Sequence, residues 1–240
     1  MINGMITIRS QSTRLPEKCF LEFGNGNVLE HLIKRAKFYS IDPIISTTDN
    51  PLDDRIETIA EKHDVKCFRG SESDKILRWR DTCKEFDLES FVSIDGDDLF
   101  FDGELNRKSH EILVSGNYDM VMHPKIMPYH GCVGYSIKAE ILNKVCEQKD
   151  TSKTDNHWEF IQGIDSASFT SLNTDIYKEN KIRLTLDYIE DYWMLSTVLR
   201  ILGNCATGKQ IIKLFSDNKD LHKINWFRTD DYLKGTGGIA

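Results

Sequence analysis

The amino-acid sequence predicts an α/β fold: a doubly wound, mostly parallel sheet covered by helices. Short apolar runs alternate with helical periodicity through the first half of the chain, the signature of βαβ units. The loops after those runs are polar and charged, as expected where such a sheet binds its ligand outside the carboxyl ends of its strands. With 240 residues, 40% of them hydrophobic and 29% charged, the composition is that of a soluble globular chain. A chain of that size buries roughly 70% of its unfolded surface, so a sizeable core is available.

Met5 to Ile8 (MITI) reads as the first strand, and Val28 to Tyr39 as a helix that lines up Leu29, Leu32, Ile33 and Ala36 on one face. Pro43 to Ser46 follows as a second strand and Asp53 to His63 as a helix. Val65 to Phe68 is a short third strand, Asp74 to Phe86 a helix, and Phe91 to Ile94 a fourth strand. The loops after Ile8, Ser46, Phe68 and Ile94 should therefore converge on one crevice. The second half is less regular. It offers strands at Met120 to Met122, Cys132 to Ile137 and Ile182 to Leu186, with helices from Ala139, over Ile189 to Leu202 and over Lys209 to Phe215. The Gly-rich end, GTGGIA, reads as a frayed tail. With neither repeat nor linker, one domain over residues 1–240 is expected.

The 31 basic and 38 acidic residues give a formal net charge of -7, which argues against nucleic-acid and anionic-membrane partners. No apolar run approaches the roughly 20 residues of a membrane span, and the amino-terminal segment lacks the basic flank and apolar core of a secretory signal. Cys19, Cys67, Cys83, Cys132, Cys146 and Cys205 are scattered without a CxxC pair and read as reduced thiols of a cytoplasmic protein. Any anion must then be held by a local cluster of cations.

Three segments carry candidate chemistry. After the first strand, Arg9-Ser10-Gln11-Ser12-Thr13-Arg14-Leu15-Pro16-Glu17-Lys18 places three cations and three hydroxyls within ten residues. That suits a polyphosphate held by side-chain cations and backbone amides, although the segment is neither a Walker loop nor a GxGxxG loop and also suits a solvated surface. After the fourth strand, Asp95-Gly96-Asp97-Asp98 crowds carboxylates that repel unless a cation sits among them; a hard divalent ion or a polar turn both satisfy them. Leu184-Thr185-Leu186 ends in Asp187, with Glu190 and Asp191 fitting the first turn of the next helix. Asp187 is a helix cap or, if it faces Asp97, the second carboxylate of a metal site.

Taken in order, these segments resemble the cytidylyltransferases that make CMP-activated sugar acids, the CMP-Kdo and CMP-sialic acid synthetase group, and especially its spore-coat polysaccharide branch. Arg9, Ser12, Thr13, Arg14, Leu15, Pro16 and Lys18 fall in register with the signature loop R-x-x-S-[ST]-R-L-P-x-K. Ser46 to Asp49 resembles the A-T-D segment, Arg69 to Leu77 the G-S-x-x-D-V-L segment, Asp95 to Leu99 the G-D-x-P turn, and Asp187 to Asp191 the D-T-P-E-D segment. Phe215 to Leu221 with Ile224-Asn225 is similar to the branch's closing motif. Glu17 departs from the usual Gly, Leu99 from Pro, and Tyr188-Ile189 from Thr-Pro; residues 124–174 match poorly.

The resemblance implies a Rossmann-like sheet of the nucleotide-diphospho-sugar transferase type with a smaller inserted dimerisation and acceptor region. It divides the chain into a nucleotide-binding half (1–118), an acceptor and dimer region (119–180), and a segment (181–240) with the second metal aspartate and C-terminal helices. It further implies transfer of CMP from CTP to a small acidic sugar, a 3-deoxy-2-ulosonic acid such as Kdo or a nonulosonate, with release of pyrophosphate, for surface polysaccharide biosynthesis. Arg9, Arg14, Lys18 and Asp97 would be the catalytic set, with Ile8, Ser10, Ser12, Thr48, Asp49, Ser71 and Asp95 completing the nucleotide site. Asp97 and Asp187 would bind Mg²⁺, and His123, Lys125, His130 and Tyr135 are the acceptor candidates. A homodimer is the family expectation. Two rival readings are a nucleotide-sugar glycosyltransferase that uses Asp95-Gly96-Asp97 as a DxD motif, and a non-catalytic nucleotide-binding protein.

Overall fold

A computed structural model describes residues 2–123, 129–173 and 181–235, with backbone alone at 129, 130 and 235. The first half runs β1 (Ile2–Thr7), α1 (Val28–Phe38), β2 (Ile41–Thr48), α2 (Asp54–Lys62), β3 (Lys66–Gly70), α3 (Lys75–Glu85), β4 (Ser90–Asp95) and α4 (Gly103–Ser115). There follow β5 (Met120–Met122), β6 (Tyr129–His130), β7 (Ser136–Lys138), α5 (Ala139–Gln148), α6 (His157–Gln162), β8 (Phe169–Ser171), β9 (Ile182–Arg183), α7 (Ile189–Leu202), α8 (Gly208–Asp217) and α9 (Arg228–Gly235).

Seven strands form one sheet in the order β3-β2-β1-β4-β7-β5-β8. β1 to β4 are mutually parallel, β7 runs antiparallel to β4 and β5, and β8 is parallel to β5. The order reverses between β1 and β4, since β2 and β3 are laid down on one side of β1 and later strands on the other. A ligand crevice is expected at the carboxyl ends of that pair. Adjacent side chains on a strand face opposite ways. Ile6 and Ile94 accordingly join a core with α1, α2, α4, α7 and α8, while Met5 and Phe91 join a second with α3, α5 and α6. Local signals agree: Asn27 caps α1 by accepting from Glu30 N (2.9 Å), and the Glu30 carboxylate accepts from Asn27 N (3.0 Å).

The doubly wound, mostly parallel sheet expected from the sequence is therefore present, with differences in detail. The expected strand over Cys132 to Ile137 is regular only from Ser136. Gly134 passes so close to β4 that a Cβ there would lie 1.7 Å from the Ser93 carbonyl oxygen. Ser93 bonds Tyr135 twice, its N–H donating to the Tyr135 carbonyl (2.7 Å) and its hydroxyl accepting from Tyr135 N (2.9 Å). The strand expected over Ile182 to Leu186 is regular only to Arg183, after which Thr185 bridges Asp98 and Leu186 N donates to the Asp97 carbonyl (2.9 Å). Helices α4, α6 and α9 were not expected, and residues 236–240 of the tail lie outside the described residues. The six cysteines are free thiols, and no described helix is long and apolar enough to cross a membrane.

Two histidines are buried neutral: burial lowers His31 from 6.5 to about 4, and burial with Lys75 nearby lowers His157 to about 3. Unfolding lets each bind a proton near pH 6.5, so the unfolded chain holds more protons and stability falls as pH drops below that value. From pH 7 to 5 each histidine is expected to remove about 2 kcal/mol. Urea midpoints across that range check this, and His31→Gln should flatten the dependence.

Candidate active site

The loop after β1 is built around buried groups. Thr7 accepts from Trp79 Nε1 (2.7 Å), and Ser10, only 3% exposed, turns inward. Its N–H (2.8 Å) and hydroxyl (2.6 Å) both donate to Asp53 Oδ1. The other Asp53 oxygen accepts from Thr47 Oγ1 (3.1 Å), Thr48 N (3.3 Å) and the Thr48 hydroxyl. Burial opposes ionisation of Asp53, and these donors outweigh it, holding the carboxyl below its usual range. One carboxylate, hydrogen-bonded among the described residues to hydroxyls and amides alone, thus fastens the ends of β1 and β2 together. Further on, Glu17 takes a left-handed conformation (φ 54°), which accounts for the glycine usual at that position in the resembling sequences.

The loop's cations then face the carboxyl end of β4. Lys18 Nζ donates to Asp97 Oδ2 (2.9 Å), to Asp187 Oδ1 (3.3 Å) and to the Leu186 carbonyl (2.6 Å). Arg14 donates to the same Asp187 oxygen (2.5 Å), while Arg183 donates to Asp187 Oδ2 (3.1 Å) and to both oxygens of Asp191 (2.9 and 3.1 Å). Burial works against a charged Asp187, but Lys18, Arg14 and Arg183 overcome it and hold the carboxyl below its usual range. At Asp97 the balance is reversed: desolvation, with Asp187 and Asp95 beside it, raises the carboxyl against the pull of Lys18. Asp98 is raised further, by burial and by Asp97, Asp95 and Asp187. Asp95 is lowered, desolvation being outweighed by Lys75, whose Nζ lies 2.8 Å from its Oδ1.

A cavity of about 770 Å³ opens over this cluster. It brings together most of the expected site: Ile8, Arg9, Ser12, Arg14, Lys18, Asp95, Asp97, His123 and Tyr135 line it. Asp187 lies just behind, fully buried. Ser10 and Thr48 face Asp53, Asp49 is exposed, and Ser71 accepts from Asp74 N (3.2 Å); none of the four lines the cavity. His123 packs on Tyr135 (ring centroids 5.0 Å apart), and Tyr135 on His157 (5.1 Å). Lys125 lies outside the described residues, and His130 is placed by backbone alone, in β6.

Asp97 and Asp187 reach one point, the Lys18 ammonium, so the chain presents two hard oxygen donors to a single centre. That donor pair fits a divalent cation of magnesium type, which takes one or two carboxylates and completes its shell with phosphate oxygens and water. Among the described residues there is no group of three or more His, Cys, Asp or Glu set to hold a metal by protein ligands alone.

Sequence reasoning missed several cavity residues. Lys75 and Arg78 belong to the first turn of α3, Lys75 within the segment that resembles G-S-x-x-D-V-L and Arg78 directly after it, and their inward spacing was the available signal. Arg78 is 4% exposed; it donates to the Ser71 carbonyl, and its Nε has no hydrogen-bond partner among the described residues. Tyr232 enters from α9, and nothing in its local sequence marks it.

Cations facing a carboxylate pair at the switch point of such a sheet fit the arrangement of a nucleotidyltransferase. The chain belongs to the cytidylyltransferase family, whose sequence model matches residues 4–161. It is similar to the spore coat polysaccharide biosynthesis protein SpsF of Bacillus subtilis, with 22% identity over 237 residues that cover 90% of this chain and 94% of the relative. Solved structures share the fold. A cytidylyltransferase from Leptospira borgpetersenii superposes with a TM-score of 0.84 at 24% identity, covering 92% of this chain and 95% of that one. A CMP:2-keto-3-deoxy-manno-octonic acid synthetase complexed with CTP gives 0.64 at 10% identity, covering 84% and 99%. The family assignment bears out the sequence resemblance and displaces the glycosyltransferase and non-catalytic readings.

Asp53→Ala strands three hydroxyls and two amides that now share one carboxylate. It should cost about 3 kcal/mol or more in urea unfolding, a loss too large for a surface substitution.

Proposed function

We propose that the protein transfers CMP from CTP to a hydroxyl of a small sugar acid and releases pyrophosphate, serving the synthesis of a surface polysaccharide. The observation that supports this most directly is Lys18, which joins the cation loop after β1 to both Asp97, in the wall of the cavity, and Asp187 behind it. Arg9, Arg14 and Lys18 bind and orient the triphosphate, so that an acceptor hydroxyl meets the α-phosphorus in line with the bond to the leaving pyrophosphate. A phosphorus–oxygen bond forms to the acceptor, the bond to the β-phosphate oxygen breaks, and the hydroxyl proton is lost to solvent. In such a reaction the protein contributes positioning and charge, with no covalent nucleophile of its own.

Asp97 and Asp187 would hold Mg²⁺, which when bound neutralises charge on the phosphate oxygens. His123 and Tyr135 form the described part of the acceptor wall, with Lys125 and His130 as the remaining candidates. The synthetase among the solved structures is named for an acidic sugar and the spore-coat relative for polysaccharide biosynthesis, which together support a sugar acceptor. A homodimer accompanies this reading.

A pyrophosphate-release screen with CTP against a panel of ulosonic acids, with UTP and ATP as controls, tests the reaction. Release with CTP and one acid supports it; release with no acid, or equally with all three nucleotides, rejects it. Asp97→Asn and Asp187→Asn should each lower turnover by about a hundredfold or more, the size of losing charge stabilisation worth about 3 kcal/mol. Near-normal pyrophosphate release by both variants would remove the metal role.

A further inference from the structure

Helix α9 lies beyond the 4–161 stretch that the family model matches, yet its Tyr232 lines the cavity. Two clamps set it there. Arg228, at the start of α9, makes a two-point ion pair with Glu190 in the first turn of α7 (Nε to Oε2 3.1 Å, Nη2 to Oε1 2.9 Å). Asn225, fully buried just before α9, donates to the Arg183 carbonyl (3.0 Å) and to Asp191 (2.9 Å). Arg183, Glu190 and Asp191 all flank Asp187, so α9 is fixed to the very segment that presents that carboxylate.

The consequence is a layered arrangement of guanidiniums and rings. The Tyr232 ring centroid stands 5.5 Å from Arg14 Cζ and 5.2 Å from Arg183 Cζ, while Tyr188 stands 6.0 and 5.9 Å from the same two groups. Arg14 and Arg183 share one carboxylate, Asp187, and two like charges that close repel. The negative faces of the two rings supply the further attraction that this crowding calls for.

We propose that Tyr232 is a positioning residue of the nucleotide site: its ring face holds the Arg14 guanidinium at Asp187, which makes the C-terminal helix a working wall of the reaction crevice. This rests on the cytidylyltransferase reading above in assigning Arg14 to the triphosphate. The contact between Arg14 and Tyr232 does not.

The test uses full-length wild type, Arg14→Ala, Tyr232→Leu and the double variant, each titrated with CTP and Mg²⁺ by calorimetry and unfolded in urea. Leucine keeps apolar bulk but has no ring face. Tyr232→Leu should weaken CTP binding about fivefold, the double variant should bind no more weakly than Arg14→Ala alone, and Tyr232→Phe should restore binding to within about twofold. In turnover the loss should fall on KM for CTP and leave KM for the acceptor in place. Wild-type affinity in Tyr232→Leu, or a loss that adds in full to that of Arg14→Ala, overturns the proposal.

If Tyr232→Leu does not fold, Glu190→Ala replaces it. That change cuts the outer clamp, so it should also weaken CTP binding, and unchanged affinity would again overturn the proposal. A wild-type chain that binds no CTP rejects the cytidylyltransferase reading itself. The urea cycle then still decides the contact, non-additive stabilities of Arg14→Ala and Tyr232→Leu upholding it and additive ones overturning it.

Discussion

A carboxylate taken wholly out of water costs several kcal/mol unless cations and donors surround it. Asp187 is such a group, with no exposed surface, and the centre of the crevice is arranged around meeting that cost. Its Oδ1 accepts from Arg14 and Lys18, and its Oδ2 from Arg183 and the Thr185 hydroxyl (3.4 Å). Those partners come from the loop after β1, from β9 and from the strand end itself, and Lys18 passes the connection on to Asp97 after β4. One buried charge therefore draws together segments as much as 173 residues apart. A cation withdrawn from this set would leave the carboxylate under-compensated, so the site and the fold around it are stabilised together.

The other end of the same loop is held by different physics. Asp53 is also fully buried, but its partners are neutral hydroxyls and amides. Hydrogen bonds to a charged acceptor are worth more than neutral ones and fix direction more tightly. Between Asp53 at Ser10 and Asp187 at Arg14 and Lys18, the loop is anchored at both ends. The left-handed Glu17 lies inside that span, beside Lys18, and its backbone strain is carried where the anchors over-determine the path.

What the sequence revealed, and what it hid, follows from the range of the interactions involved. The βαβ alternation was visible because each strand and helix is buried along a face of its own, and α7 was bounded correctly over Ile189 to Leu202. Helix α4 was hidden because its buried face is partly polar. Asn106 accepts from Gly134 N (3.0 Å) and Ser109 bonds Ser136 (2.8 Å), so the apolar period is broken at the very positions that pack. The strand at Cys132 failed for the complementary reason, an apolar run bent by the close passage of Gly134 over Ser93. In the site, Arg14, Lys18, Asp97 and Asp187 were singled out because each falls in a charged segment that follows an apolar run. Tyr232 was not, since what places it is a clamp from Arg228 to Glu190, 38 residues away.

The net charge of the chain is not the net charge of the crevice. The whole sequence carries a formal net charge of -7, yet Arg9, Arg14, Lys18, Lys75 and Arg78 line the cavity against Asp95, Asp97, Asp98 and Asp155. With Asp187 behind them the two signs balance. The acidic excess lies elsewhere, and the crevice can admit an anion without crossing a field of like charge. Balance alone does not suit a triphosphate, because the cations that would bind it already serve the aspartates. Asp97 and Asp98 are both held above the usual carboxylate range, by burial first and then by the carboxylates beside them. A divalent cation arriving with the triphosphate would serve both sets of oxygens at once and release Lys18 and Arg14 for phosphate. That economy of charge favours a metal-dependent nucleotide site over a site for an uncomplexed anion.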